Sequence, residues 1–106
     1  MQQGKQLTDL AIITSYLKKG NFDQYFYVDY FGSAAICNGN RFGHEAIQIW
    51  SSFEAKNEKT GETIAHLYGL ITNTGVRGIL KIYENTPNTK QAKQFVAKCV
   101  ESKGEL

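Results

Sequence analysis

The dipeptide Asn38-Gly39 constrains the fold of this chain more than any other short feature. Asn-Gly between apolar stretches is the strongest short signal for a two-residue β-hairpin turn, because both residues tolerate positive φ. If the two residues form that turn, Cys37 pairs with Asn40. The same register then continues outward along two long antiparallel strands.

This register separates the two faces of the predicted hairpin. One face is apolar on both strands, and its pairs are Phe26 with Ser51, Val28 with Ile49 and Tyr30 with Ile47. We expect that face to be core, because cross-strand apolar pairs stabilise a sheet from its buried side. The opposite face carries Tyr27 directly across from Trp50, with Tyr25 and Phe31 beside them.

Two later turn signals extend the hairpin into a meander. A four-residue turn at 58–61 places Trp50 over the bare backbone of Gly69, and a three-residue turn at 73–75 keeps Arg77 and Lys81 out of the core. The predicted antiparallel strands are about 24–37, 40–56, 62–73 and 76–84.

Segment 45–56 also admits a helix, because Ile47, Trp50 and Phe53 have near-helical spacing. The strand interpretation is preferred, since it needs no additional turn and leads directly into the hairpin that follows.

A helix is predicted at each end of the chain. The stretch "LTDLAIITSYLKKG" offers Thr8 as N-cap and Gly20 as its end. The stretch "NTPNTKQAKQFVAKCVESKG" offers Thr86 as N-cap, Pro87 in the first turn and Gly104 just past the end. Both stretches repeat apolar residues at helical spacing.

These elements predict an α+β fold: an N-terminal helix, a four-stranded antiparallel β-meander and a C-terminal helix, with both helices on one face of the sheet. Residues 1–106 are interpreted as one α+β domain, because a chain of 106 residues can build only one modest core. Cys37 and Cys99 are expected to be buried free thiols.

The sequence contains neither a leader-like apolar stretch behind a basic start nor about 18 consecutive apolar residues. We therefore expect a cytoplasmic protein without a membrane partner.

Strong catalytic and metal signatures are absent from the sequence, including Walker-type, CxxC, HExxH and GxSxG motifs. We expect no catalytic residues, no cofactor and no metal site. One enzymatic alternative is a small nuclease in which His44 and His66 act as acid and base near Lys81.

The open sheet face predicts a small non-catalytic binding module, an adaptor or inhibitor that contacts another protein or a second copy of itself as a homodimer. Aromatic residues and arginine dominate binding hot spots, which favours this interpretation. The predicted binding face comprises Tyr25, Tyr27, Phe31, Trp50, Arg77, Lys81 and Tyr83.

The alternative is a domain that binds single-stranded nucleic acid. Bases would stack on Tyr25, Tyr27 and Trp50. Phosphates would meet Arg77, Lys81 and Arg41. A net charge of only +2, with Asp29 and Glu54 expected on the same face, counts against it.

Overall fold

A computed structural model describes residues 8–103 and confirms an α+β fold with a helix near each end. The elements in chain order are α1 (Leu10–Lys19), β1 (Gln24–Val28), β2 (Ala35–Cys37), β3 (Asn40–Phe42), a short 3₁₀ helix (His44–Ala46), β4 (Ile47–Lys56), β5 (Thr63–Thr72), β6 (Arg77–Tyr83) and α2 (Thr89–Lys103).

The six strands form one mixed sheet in the order β3-β2-β1-β6-β5-β4. Neighbouring strands are antiparallel except β1 and β6, which run parallel with Gln24 beside Gly78 and Phe26 beside Leu80. The sheet therefore consists of two three-stranded antiparallel units joined along β1 and β6. The predicted four-stranded antiparallel meander is only roughly matched.

The predicted first strand, 24–37, is interrupted by a turn around Asp29. The Asp29 Oδ1 atom accepts hydrogen bonds from the Ser33 and Ala34 backbone N–H groups at 2.7 and 3.3 Å, and Gly32 adopts φ 73°. A short acidic side chain that bonds backbone N–H groups ahead of it stabilises a turn in preference to a strand.

This turn changes the pairing of the aromatic stretch. Because the chain folds back at once, β2 pairs with β1, and Tyr27 lies opposite Ile36 instead of Trp50. Phe26 and Val28 are buried as predicted. Tyr30 was expected in the core, but it lies in the turn with 68 % of its surface exposed.

The Asn38-Gly39 turn forms as predicted, with φ of 51° and 82°. Cys37 pairs with Asn40, and the predicted register continues as far as Ala35 opposite Phe42. The chain then leaves the sheet through the 3₁₀ helix and returns as β4 on the opposite edge. The predicted pairs of Ile47 and Ile49 with the first strand are therefore wrong.

The second half of the sheet follows the prediction more closely. Segment 45–56 is a strand from Ile47 onward, and Ile71 pairs with Arg77 as the three-residue turn requires. A bulge at Trp50 shifts the register of β4, so Ser51, and not Trp50, lies opposite Gly69. An extra residue in one strand produces such a shift without ending the pairing.

The two helices pack against opposite faces of the sheet, which corrects the prediction that both lie on one face. Ile13 and Leu17 of α1 pack in one apolar cluster with Ile79, whereas Phe95 of α2 packs in another with Leu80. Adjacent residues of a strand point to opposite faces, so the neighbours Ile79 and Leu80 in the middle of β6 are covered by different helices.

The helix boundaries differ slightly from the predicted ones. Asp9, and not Thr8, caps α1, because its side chain accepts a hydrogen bond from the Ile12 N–H. Helix α2 begins at Thr89, after the predicted Thr86 and Pro87. The predicted end at Gly104 lies outside the described residues.

Cys37 and Cys99 are both buried thiols that are not joined in a disulfide, as predicted. Neither helix within residues 8–103 is long and apolar enough to cross a membrane.

Candidate functional site

Helix α1 covers only part of its sheet face and leaves an aromatic surface open. The helix packs over β4 and β5 and reaches Ile79 on β6. The side chains left uncovered on β1 and β6 form what we call the aromatic face: Tyr25, Tyr27, Lys81 and Tyr83. The three tyrosines expose 48 %, 61 % and 43 % of their surfaces. Four of the predicted binding residues thus share one face.

Two ammonium groups flank the Tyr25 ring on this face. Lys81 Nζ lies 5.5 Å from the ring centroid and Lys18 Nζ lies 5.1 Å from it. Both distances are within the range of cation–π attraction. Sequence reasoning placed Lys18 only in the last turn of a helix. The short connection between α1 and β1 could have indicated this contact, because it keeps the last turn of α1 next to Tyr25.

Trp50 and Arg77 lie on the other side of the C-terminal end of α1, in a pocket of about 400 Å³ that we call the Trp50 pocket. Its apolar walls come from α1, β4 and the connection after α1: Tyr16, Leu17, Phe22, Trp50 and Phe53. Lys19 and Arg77 add positive charge to it. Sequence reasoning missed Tyr16, Phe22 and Phe53 because the cover that α1 provides is a tertiary contact.

Arg77 is held in place by two contacts. Its Nη2 atom donates to the Gly20 carbonyl oxygen at 3.0 Å, and its guanidinium carbon lies 4.4 Å from the centroid of the Phe22 ring. The guanidinium therefore caps the C-terminal end of α1 and also stacks on the Phe22 ring.

Close packing beneath the pocket depends on the missing side chain of Gly69. A Cβ atom built there would lie 2.9 Å from Ser51 Oγ and 3.2 Å from both Leu17 Cδ2 and Phe22 Cε1. Glycine thus lets α1 and the Phe22 ring approach the sheet closely.

Phe31 lies in the Asp29 turn, whereas Arg41 lies on β3 and bonds to Asp29. The register Tyr27–Ile36–Arg41 puts Arg41 on the same side of the sheet as Tyr27, two strands away. Phe31 is 83 % exposed, and its ring packs edge-on against Tyr30 at 5.5 Å. Arg41 Nη2 donates to Asp29 Oδ2 at 2.7 Å, and the Ser33 hydroxyl donates to the same oxygen at 2.6 Å. These bonds hold the pKa of Asp29 well below its usual value, and the bond from the Ser33 hydroxyl has the largest effect.

The two histidines do not converge. His66 Nε2 lies 2.8 Å from Glu84 Oε2, and Lys93 Nζ donates to both oxygens of that carboxylate. Lys93 and then His66 lower the pKa of Glu84. His44 lies beyond the Ile47–Thr72 end of the β4–β5 pair, whereas His66 pairs with Glu54. At about 3.3 Å per residue the backbones at these two positions are roughly 20 Å apart along the strands.

A second concavity, of about 370 Å³, lies between the Asn38-Gly39 hairpin and the start of β6. Four of the residues that line it carry side-chain amides, and Asn38 Nδ2 donates to Gln24 Oε1 at 2.9 Å. Within residues 8–103, no group of three or more His, Cys, Asp or Glu side chains is arranged to hold a metal ion.

Comparisons of the chain with protein-family models, with curated proteins and with solved structures found no match. The function is therefore argued from the chemistry of the aromatic face and the Trp50 pocket.

Proposed function

We propose that the protein is a small binding module whose aromatic face contacts another protein. The observation that carries this proposal is the exposure of Tyr25, Tyr27 and Tyr83 together on a part of the sheet that α1 leaves uncovered. Tyrosine supplies a large contact area at a low cost in conformational entropy, which is why it is enriched at protein interfaces.

The charge of the surface favours a protein over a polyanion as the partner. Arg41, the candidate phosphate contact, already pairs with Asp29 at 2.7 Å. The aromatic face is left with Lys18 and Lys81 as its cations, and the net charge of the chain is only +2. Binding dominated by phosphate contacts usually needs a denser basic patch.

Tyr27→Ser is the variant that tests this proposal. Immobilised wild-type protein should capture a specific partner from cell extract, and Tyr27→Ser should retain about tenfold less of it, as expected for a hot-spot tyrosine. Tyr30→Ser is the matched control, because Tyr30 is similarly exposed, at 68 % against 61 % for Tyr27, but lies in the Asp29 turn. Equal capture by wild type and Tyr27→Ser would contradict the proposal.

Self-association through the aromatic face is a version of the same proposal, in which the partner is a second copy of the chain. Sedimentation velocity across a dilution series measures it directly. A dimer that dissociates at higher concentration in Tyr27→Ser than in Tyr30→Ser would support this version. A monomer at every concentration would exclude it.

Binding of single-stranded nucleic acid is the second candidate. Two observations favour it: ammonium groups flank the Tyr25 ring, and Glu54 pairs with His66 on the sheet face opposite α1, away from the tyrosines. A base stacked on Tyr27 would leave its phosphates near Lys81.

Fluorescence anisotropy of a labelled oligothymidylate separates the two candidates. If the protein binds nucleic acid, the affinity should fall steeply with added salt. It should also be lower in Lys81→Gln but not in the control Lys98→Gln, because Lys98 is exposed on α2. Unchanged anisotropy at low salt would exclude this candidate and leave the protein partner.

A further inference from the structure

We propose that the Trp50 pocket receives one bulky apolar side chain of the partner, from a peptide segment that carries a carboxylate next to that side chain. This inference rests on the proposed function, because it assigns an anchor to the same protein partner. It adds the chemistry of the segment that the partner must present.

The size and walls of the pocket favour a side chain as its occupant. Tyr16 and Phe53 form one wall with their rings edge-on at 5.7 Å, and Phe22 and Leu17 lie deeper in it. A volume of about 400 Å³ is at the small end of the range for ligand sites, so it suits a single large side chain and the backbone atoms around it. Interface hot spots commonly consist of one such anchor in a desolvated pocket.

The charge around the pocket favours a carboxylate next to the anchoring side chain of the partner. Lys19 and Arg77 are the charged residues that line it, and no carboxylate lines it within the described part of the chain. The Arg77 guanidinium is already fixed by the Gly20 carbonyl and the Phe22 ring. Binding a carboxylate therefore costs little additional side-chain entropy. An acidic segment is thus favoured over a basic one.

The bulge at Trp50 explains why the pocket has an open side. Ile49 pairs with Leu70 and Ser51 with Gly69, so Trp50 has no partner on β5 and its side chain remains 61 % exposed. The exposed indole lines the pocket and can contact an occupant directly.

The position of the pocket links it to the aromatic face. Lys18 contacts Tyr25 on one side of the C-terminal end of α1, and Lys19 lines the pocket on the other. A partner centred on the aromatic face needs to extend past only one helix end to insert its anchor.

The test uses N-acetyl-phenylalanine as the probe, its uncharged amide as the comparison and acetate as the control without a side chain. Trp50 is the sole tryptophan, so its indole N–H gives one NMR signal that reports on the pocket. The probe should shift that signal with a dissociation constant in the millimolar range, and the amide should bind about two- to fivefold more weakly. Acetate should leave the signal unchanged.

Matched variants separate the apolar wall from the charge. Tyr16→Ser should weaken both the probe and its amide, whereas Ile12→Ser, at a residue of equal exposure on the same helix, should weaken neither. Lys19→Gln should reduce the preference for the probe over its amide, and Lys98→Gln should not. These substitutions are all at exposed positions, so the fold is retained.

Two results would overturn the inference: no shift of the Trp50 signal at millimolar probe, or equal shifts by the probe and its amide. Failure of the proposed function is a different observation, namely equal partner capture by wild type and Tyr27→Ser. If Tyr27→Ser reduces partner capture and Tyr16→Ser does not, the Trp50 pocket is not an anchor site. The aromatic face would still be the contact surface.

Discussion

At the residue scale, the Asp29 carboxylate accepts hydrogen bonds from the Ser33 hydroxyl, from Arg41 and from the backbone N–H groups of Ser33 and Ala34. These donors favour the ionised form, so the folded pKa lies below the unfolded value of about 3.9. A depressed pKa means that the carboxylate stabilises the fold above the unfolded pKa. That contribution is lost as the pH falls through the folded pKa.

We therefore predict that Asp29→Asn lowers the free energy of unfolding by about 1–2 kcal/mol near neutral pH, because bonds to a charged acceptor are replaced by weaker ones. The difference from wild type should shrink as the pH falls below about 4, because Asp29 protonates there in the unfolded chain while it is still ionised in the folded one. Urea denaturation at several pH values measures both effects.

The control for this pH dependence is Asp23→Asn, which removes an exposed carboxylate of the same charge. Its effect on stability should stay within about 0.5 kcal/mol across the same range. A pH-independent loss in Asp29→Asn would mean that the shape of the side chain, and not its charge, stabilises the turn.

At the element scale, the parallel contact of β1 with β6 depends on Gly78. A Cβ atom there would lie 2.7 Å from the Gln24 carbonyl oxygen and 2.7 Å from Phe26 Cε2. Gly78→Ala must push the two strands apart, and we predict a loss of about 1–3 kcal/mol in the free energy of unfolding, measured by chemical denaturation.

Gly20→Ala is the matched substitution for this prediction. Gly20 has φ −89°, and an added Cβ would meet its nearest neighbour, the Leu17 carbonyl oxygen, at an ordinary 3.5 Å. We expect a change within about 0.5 kcal/mol. Equal losses in the two variants would show that strand separation is not the cause.

Local turn chemistry explains which elements of the fold could be predicted. The Cys37–Asn40 and Ile71–Arg77 pairs follow from short turns, whose residues lie next to one another in the sequence. The turn at Asp29 also has a local signal, an aspartate followed by Gly32 and Ser33, but the aromatic residues around it resemble a continuous strand. In the structure the turn residues override the strand propensity of these aromatic side chains.

The parallel pairing of β1 with β6 and the opposite positions of the helices could not be predicted in this way. Both depend on contacts between distant parts of the chain, and no short sequence pattern encodes those. The same limit applies to the candidate site. Strand alternation predicted that Arg77, Lys81 and Tyr83 share a face, but the division of that face by α1 is a packing result.

At the scale of the whole molecule, one sheet separates two apolar cores. Ile79 belongs to the core under α1 and Leu80 to the core under α2, so the middle of β6 is buried from both sides. By contrast, β3 is a three-residue edge strand with Asn40 and Arg41 exposed. Local stability should therefore decrease from the centre of the sheet toward β3.

Hydrogen exchange measured by NMR tests this gradient. Backbone amides of β5 and β6 are predicted to exchange slowest, and those of β3 at least about a hundredfold faster. Equal protection in β3 and β5 would show that the whole sheet opens as one unit. Protection of β3 that appears only with a bound partner would indicate instead that the hairpin is ordered by binding.

The seam between β1 and β6 also has a consequence for how the chain folds during synthesis. Gln24 is synthesised well before its neighbour Gly78, which lies in the last strand of the sheet. Until that strand arrives, β1 can pair only with β2, and the apolar side chains of Phe26 and Val28 have no α2 to cover them. Closing so distant a contact is slow. We therefore expect the apolar side chains of β1 to be exposed in folding intermediates until β6 and α2 dock, and those intermediates to be the species most prone to aggregate.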